Sequence, residues 1–289
     1  MNTTLLLMQG SVGLVLGCRY ILLAMGLSII FGMLGVVNFA HGAFYMLGAY
    51  ASYAISSTFL GFWPSLIIAP IIVGSIGMLI EYLFVSPLYK RELLYTLLLT
   101  FAFSLIFPDT VRFIFGLGGK SMSLPFGLRG VVNIGYMFMP KYRIFILVLT
   151  VVVIIAIWLL LEKTKLGMII RAGMDDNTMV EAMGVDVSKI WTTVFGLGVG
   201  LAALAGVISG PISRVNPSMG INVVITSFVI VVIGGLGSLK GAILGGLIVG
   251  EVVAFSTLYF GEAGEVVMYL LMALVLLLRP QGLFGTAEA

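Results

Sequence analysis

The chain has 289 residues, 61% of them hydrophobic and only 9% charged, with a formal net charge of +3. Soluble domains carry about 25% charged and about 45–50% apolar residues, so the composition excludes a soluble domain and indicates a polytopic membrane protein. The weak positive balance is spread among loops, which speaks to membrane topology and not to nucleic acid. The lone Cys18 permits neither an intrachain disulfide nor a cysteine metal site.

A span needs about 20 apolar residues to cross the hydrocarbon core, and the length leaves room for eight or nine. The opening MNTTLLLMQG lacks the basic start of a signal peptide, so no cleavage is expected. Spans are expected at roughly 9–33, 41–57, 64–87, 93–113, 143–162, 190–210, 221–235, 239–258 and 264–279. The sixth and seventh are short or glycine-broken, which leaves eight as the alternative count. Under this alternation one side carries Lys90, Arg91, Lys163, Lys165, Arg171, Lys189, Lys240 and Arg279. The other carries Arg112, Lys120, Arg129, Lys141, Arg143 and Arg214. This modest positive-inside bias places the 161–191 segment and the C-terminus in the cytoplasm.

Ionisable groups inside spans are costly and default to functional hypotheses. In the first span Arg19 lies between Cys18 and Tyr20; it either faces a pathway or snorkels to an interface. The single histidine, His41, opens the second span within Asn38-Phe-Ala-His41-Gly42, as a hinge residue or a ligand. Glu81 sits deep in the third span and Glu251 in the eighth. Each acid is either a pathway group or a partner of Arg19 in a buried pair.

Between the fourth and fifth spans, residues 116–143 alternate short apolar runs with Gly and Pro, which predicts an extended hairpin on the outer surface. Its Gly119-Lys120-Ser121 imitates the tail of a phosphate-binding loop, but that motif needs a glycine where Ile114 stands. The chain itself is therefore expected to hydrolyse no ATP.

Residues 161–191 form the one long polar interruption. They hold Glu162, Lys163, Lys165, Arg171, Asp175, Asp176, Glu181, Asp186 and Lys189. Asp175 and Asp176 at the start and Gly184 at the end punctuate a short surface helix, of the kind that a membrane protein presents to a soluble partner. Beyond it, Gly196, Gly200, Gly206 and Gly210, then Gly241, Gly245, Gly246 and Gly250, set small residues four apart, so that helix backbones approach closely in lipid. The stretch Gly32-Met-Leu-Gly35 with Gly42-Ala43 and Gly48 is distantly echoed by Gly234-Gly-Leu-Gly237 with Gly241-Ala242 and Gly245. The echo suggests two pseudo-symmetric halves with glycine-interrupted helices around a translocation path. One histidine, one cysteine and scattered acids assemble no metal site and no catalytic set.

The run Gly26 to Gly32, then Val36-Val-Asn38-Phe-Ala-His41-Gly42 and Tyr45-Met-Leu-Gly48-Ala49-Tyr50, resembles the inner-membrane permeases of branched-chain amino-acid ABC importers, LivH type. Arg171-Ala172, Ala182-Met-Gly184-Val185, the region Ala202 to Gly206, Gly234 to Gly241 and Arg279-Pro-Gln-Gly-Leu283 carry the same resemblance, in order along nearly the whole chain. It implies an all-α polytopic membrane protein, a type II importer-like permease forming one transmembrane domain over 1–289. The implied partners are a second related permease, two cytoplasmic ABC ATPases that bind ATP and Mg, and an extracytoplasmic solute-binding protein. No cofactor is expected on this chain.

The resemblance makes Arg171, Asp175, Asp176, Glu181, Ala182 and Gly184 the candidates for ATPase coupling. Met183 stands where the family signature has Ala, and the glycine follows sooner. Asn38 and Tyr45 join Arg19, His41, Glu81 and Glu251 as pathway candidates. The outer loops bring Arg129, Arg214, Glu262 and Glu265 as candidates for docking the binding protein. Arg19 departs from the small or aromatic residues of the family, and it would attract a carboxylate if it faces the path. The expected activity is uptake of branched-chain amino acids or a related small organic solute in the bacterial inner membrane. Importers of urea, amides or aromatic acids share the permease type; an ion-coupled secondary transporter is the competing class.

Overall fold

A computed structural model describes residues 3–89, 91–133, 135 and 137–285, with side chains from residue 5 onward except at 175, 177 and 262. Lys90 and the side chains of Asp175 and Glu262 therefore lie outside the described residues. The chain folds as α1 (Thr3–Leu34), α2 (His41–Ser56), α3 (Phe62–Ile80), α4 (Leu93–Phe115), a β1–β2 pair (Val131–Asn133, Phe138–Pro140), α5 (Lys141–Lys163), α6 (Lys165–Asp175), α7 (Asn177–Ala182), α8 (Val187–Ser209), α9 (Met219–Gly234), α10 (Leu239–Phe260) and α11 (Val266–Leu278).

Each of the nine stretches expected to span carries a helix. Among the described residues six are long and apolar enough to cross a membrane alone: α1, α3 with its continuation to Leu88, α4, α5, α8 and α10. The other three are shorter. Helices α2 and α9 have 16 residues each and α11 has 13.

The shortness of α2 has a local cause. After α1 ends, Gly35 turns with φ 63°, and the chain runs without helix to Ala40. His41 then bonds the carbonyl of Leu23 through Nε2 at 3.0 Å, and Leu23 lies 11 residues before the end of α1. At about 1.5 Å per residue, α2 therefore starts some 16 Å inside the bundle. Its second residue, Gly42, meets Gly220 at the start of α9 so closely that neither has room for a side chain. Two helices thus begin in the interior, a discontinuity of the type found in transporters.

The central packing runs along α1 and α8. Leu22, Leu23, Phe44, Val73, Phe195 and Val199 pack α1, α2, α3 and α8 together. Met25, Leu27, Ile230, Ile233 and Val249 join α1 to α9 and α10. Small residues set the spacing. A methyl at Gly198 of α8 would stand 2.6 Å from the carbonyl oxygen of Gly26 in α1, and one at Gly237 would stand 3.0 Å from the Cα of Gly32. Lipid tails are as apolar as leucine, so such close backbone packing takes the place of the hydrophobic effect in holding helices together. Gly32 and Gly237, one from each of the two similar glycine stretches, lie against each other.

The bundle has two distinct ends. At one, β1 pairs antiparallel with β2, Val132 opposite Met139. There Lys120 of the Gly-Lys-Ser triplet exchanges backbone bonds with Val215 at 2.7 and 2.9 Å. At the other end stand α6 and α7. The short helix expected between Asp176 and Gly184 is α7, capped by Asp176 in an extended conformation (φ −155°, ψ 101°), and α6 is a further helix that precedes it.

Candidate functional site

The polar segment is built by three caps in succession. The Thr164 hydroxyl oxygen accepts from Gly167 N at 3.1 Å and starts α6. Asp176 Oδ1 accepts from Thr178 N at 2.8 Å and Met179 N at 3.1 Å, starting α7. Asp186 Oδ1 accepts from Lys189 N at 3.3 Å and starts α8; the Lys189 side chain, paired at 2.9 Å, holds the Asp186 carboxyl below the usual carboxylate range. Such caps satisfy amide groups that the first helical turn leaves without partners.

Arg171 ties α6 to the end of α5. It donates to the Leu161 carbonyl and pairs with Glu162 at 3.3 Å. Ile170 and Val180 are buried and anchor α6 and α7. Glu181, Ala182, Met183 and Gly184 are all exposed, and Gly184 ends the turn with φ 81°. Met168, Met179 and Met183 stand 63%, 62% and 79% exposed. Unbranched, polarizable methionines on a short polar helix pair suit an adaptable protein contact.

The expected pathway residues separate into three groups. Arg19, in the middle of α1, and Tyr45, in the second turn of α2, line one cavity of about 260 Å³. The turn between α8 and α9 closes it with Ser213, Arg214 and Asn216, and the first turn of α9 adds Asn222. Arg19 Nε is buried and bonds to no described group. Arg214 stands at the exposed rim, its guanidinium 3.5 Å from the Gly119 carbonyl. Arg214 was expected on a docking surface and Arg19 in the pathway; the fold brings them to one chamber. Ser213, Asn216 and Asn222 escape a search confined to ionisable groups, although Asn222 is a polar residue at the start of an expected span and could have been flagged.

Asn38 and His41 form the second group. Both are fully buried. Asn38 Oδ1 accepts from Ala40 N at 3.0 Å and turns the chain into α2, while His41 latches α2 to α1.

The two acids make up the third group and do not pair with Arg19. Glu81 opens a π-helical turn, Glu81–Val85, that continues α3. It accepts from the Tyr89 hydroxyl at 2.7 Å and from the Thr192 hydroxyl, which ties the end of α3 to the start of α8. Glu251 lies on α10 against Gly13 of α1. Ion pairs among the described residues are Arg112–Asp109, Arg171–Glu162 and Lys189–Asp186. No group of three or more metal-binding side chains occurs among the described residues. Arg129, whose Nε donates to Leu124 O at 3.0 Å, and Glu265 lie exposed at the hairpin end.

A family model described as "Branched-chain amino acid transport system / permease component" matches residues 11–278. The chain is 33% identical to the high-affinity branched-chain amino acid transport system permease protein BraD of Pseudomonas aeruginosa, covering 96% of this chain and 94% of that protein. It is 30% identical to the LivH permease protein of Escherichia coli, with the same coverage. With the LivM permease protein of the same organism it shares 27% identity over 91% of this chain and 67% of that one. The structure of PsaBC from Streptococcus pneumoniae in complex with Fab superposes with a TM-score of 0.51 over 92% of this chain and 89% of that chain at 11% identity, a likeness of fold. The chain is an all-α, multi-pass inner-membrane protein, and it belongs to the family of branched-chain amino acid transport permease components.

Proposed function

We propose that the chain is the transmembrane subunit of an ATP-driven importer for branched-chain amino acids or a related small organic solute. It would work by alternating access beside a second, related permease, as two pseudo-symmetric halves of a type II-like importer. ATP and Mg would be bound by two partner ATPases, so the chemistry of hydrolysis lies outside this chain. An extracytoplasmic binding protein would deliver the solute to the hairpin end, where Arg129, Arg214 and Glu265 are exposed.

The observation that carries this reading is the α6–α7 pair. It is a capped, exposed helix pair with methionines outward, clamped to α5 through Arg171. A rigid handle of this kind can pass a partner's motion to α5 and α8 as a body, and helices packed at glycine contacts can pass it on. An ion-coupled transporter needs no such handle.

The test is uptake into vesicles holding the assembled system, driven either by ATP or by an ion gradient alone. ATP-dependent uptake that is lost on deleting residues 177–184, with assembly retained, supports the reading. Uptake driven by an ion gradient and indifferent to that deletion contradicts it.

A further inference from the structure

We infer that the chamber between Arg19 and Arg214 is a station for the carboxylate of the transported solute, so that this permease handles solutes that carry a carboxylate and not those, such as urea or amides, that lack one. The inference rests on the importer reading and adds the chemical class recognised on the path.

The argument starts from cost. A guanidinium cannot shed its proton in a protein, and a cation in the middle of a spanning helix is tolerated where it has a partner or lines a polar cavity. Among the described residues Arg19 has no acidic partner: Glu81 is committed to Tyr89 and Thr192, and Glu251 packs over Gly13. Its side chain instead lines a cavity of about 260 Å³, and its Nε is left buried without a hydrogen bond.

The cavity's composition sets the sign of its occupant. Its described lining holds two guanidinium groups, Asn222, Ser213 and Tyr45, and no carboxylate. Asn216 is spent on the turn, accepting from Ser218 N at 3.1 Å and donating to the Arg214 carbonyl at 3.2 Å, which fixes the backbone that carries Arg214. Two cations lining one recess, one of them at its exposed rim, together attract an anion. The planar fork of arginine matches a carboxylate in bidentate fashion. Among the described residues no carboxylate lines the chamber to receive an ammonium, so the amino group of an amino acid would be left to water and carbonyl oxygens. Arg214 at the exposed rim and Arg19 deeper in are arranged as successive contacts, the first for capture and the second for passage.

The test uses the full importer in proteoliposomes with its own binding protein and leucine as probe. Leucine import and ATP hydrolysis are measured together, because a residue that only supports the fold would lower both. Arg19→Gln is expected to reduce leucine imported per ATP hydrolysed by roughly tenfold or more, the usual weight of a charged hydrogen bond. Arg19→Lys should recover part of that loss, and Arg214→Gln should show a smaller loss in the same direction. Arg214 is on the surface, so its variant decides the matter if Arg19→Gln does not assemble.

An unchanged import-to-ATP ratio in the variants overturns the inference, as does a parallel fall of import and hydrolysis in both glutamine variants. A parent importer that shows no ATP-dependent uptake would instead overturn the functional reading on which the inference rests.

Discussion

Replacing Gly198 by alanine separates two opposing effects. In an ordinary helix interior the change favours the helix by about 1 kcal/mol. Here the added methyl would stand 2.6 Å from the Gly26 carbonyl oxygen and 2.6 Å from Ile30 Cγ1, where ordinary contact begins at 3.4 Å. Helices α1 and α8 must therefore part by most of an ångström, and Ile30 must also leave its place. Overpacking of a close-packed core costs about 1–3 kcal/mol, and a clash with backbone on the facing helix belongs at the top of that range. A net loss of about 2 kcal/mol is expected, which would lower the apparent melting temperature of the purified protein by several degrees. Gly118→Ala is the control, since a methyl there meets nothing within 4 Å; it should melt with the parent. The assay is thermal denaturation in mild detergent, read by retention on size exclusion. A Gly198→Ala protein as stable as the parent would refute close glycine packing as what holds α1 to α8.

Other substitutions probe the polar sites. Glu81→Leu leaves the half-buried Tyr89 hydroxyl without its acceptor, while Thr192 keeps the Ser188 carbonyl, and should cost about 1–3 kcal/mol; Glu81→Gln keeps an acceptor and should cost less, as the same melting assay would show. Asp176→Ala removes the cap of α7, worth about 1 kcal/mol, and on the proposed importer reading should weaken retention of ATPase subunits, whereas Asp176→Asn should retain them. Gly184→Ala has space for its methyl but forces a left-handed backbone costing about 1–2 kcal/mol, so transport per ATP should fall while the spanning helices keep their melting temperature. Within the LivH-type resemblance, Met179→Asp together with Met183→Asp should likewise release the ATPases without unfolding the bundle, measured by co-purification.

Much of the fold was legible because membrane spans are written in composition. The nine apolar runs became α1, α2, α3, α4, α5, α8, α9, α10 and α11 with ends shifted by a few residues. The glycine spacings in α8 and α10 announced close packing, and Asp176 and Gly184 announced a helix between them. The interior start of α2 was less visible, since it depends on His41 reaching the carbonyl of Leu23 on another helix. Helix α6 was missed because the helix punctuation at Asp175, Asp176 and Gly184 marks only α7, and the Thr164 cap that starts α6 was not singled out. Site residues fared differently from elements. Arg19 was conspicuous as a cation in a span, but its neighbours Arg214 and Asn222 arrive from about 200 residues away, through a turn whose path local sequence does not dictate. For the same reason Thr192 could not be matched to Glu81.

The central claim is that this chain works as the membrane subunit of an ATP-driven assembly. The most direct measurement is purification of the chain from native membranes in mild detergent, with every retained protein identified by mass. The account predicts ABC ATPase subunits together with a second, related permease. Recovery of this chain as a clean homo-oligomer, without ATPases, would contradict it and favour a self-sufficient transporter.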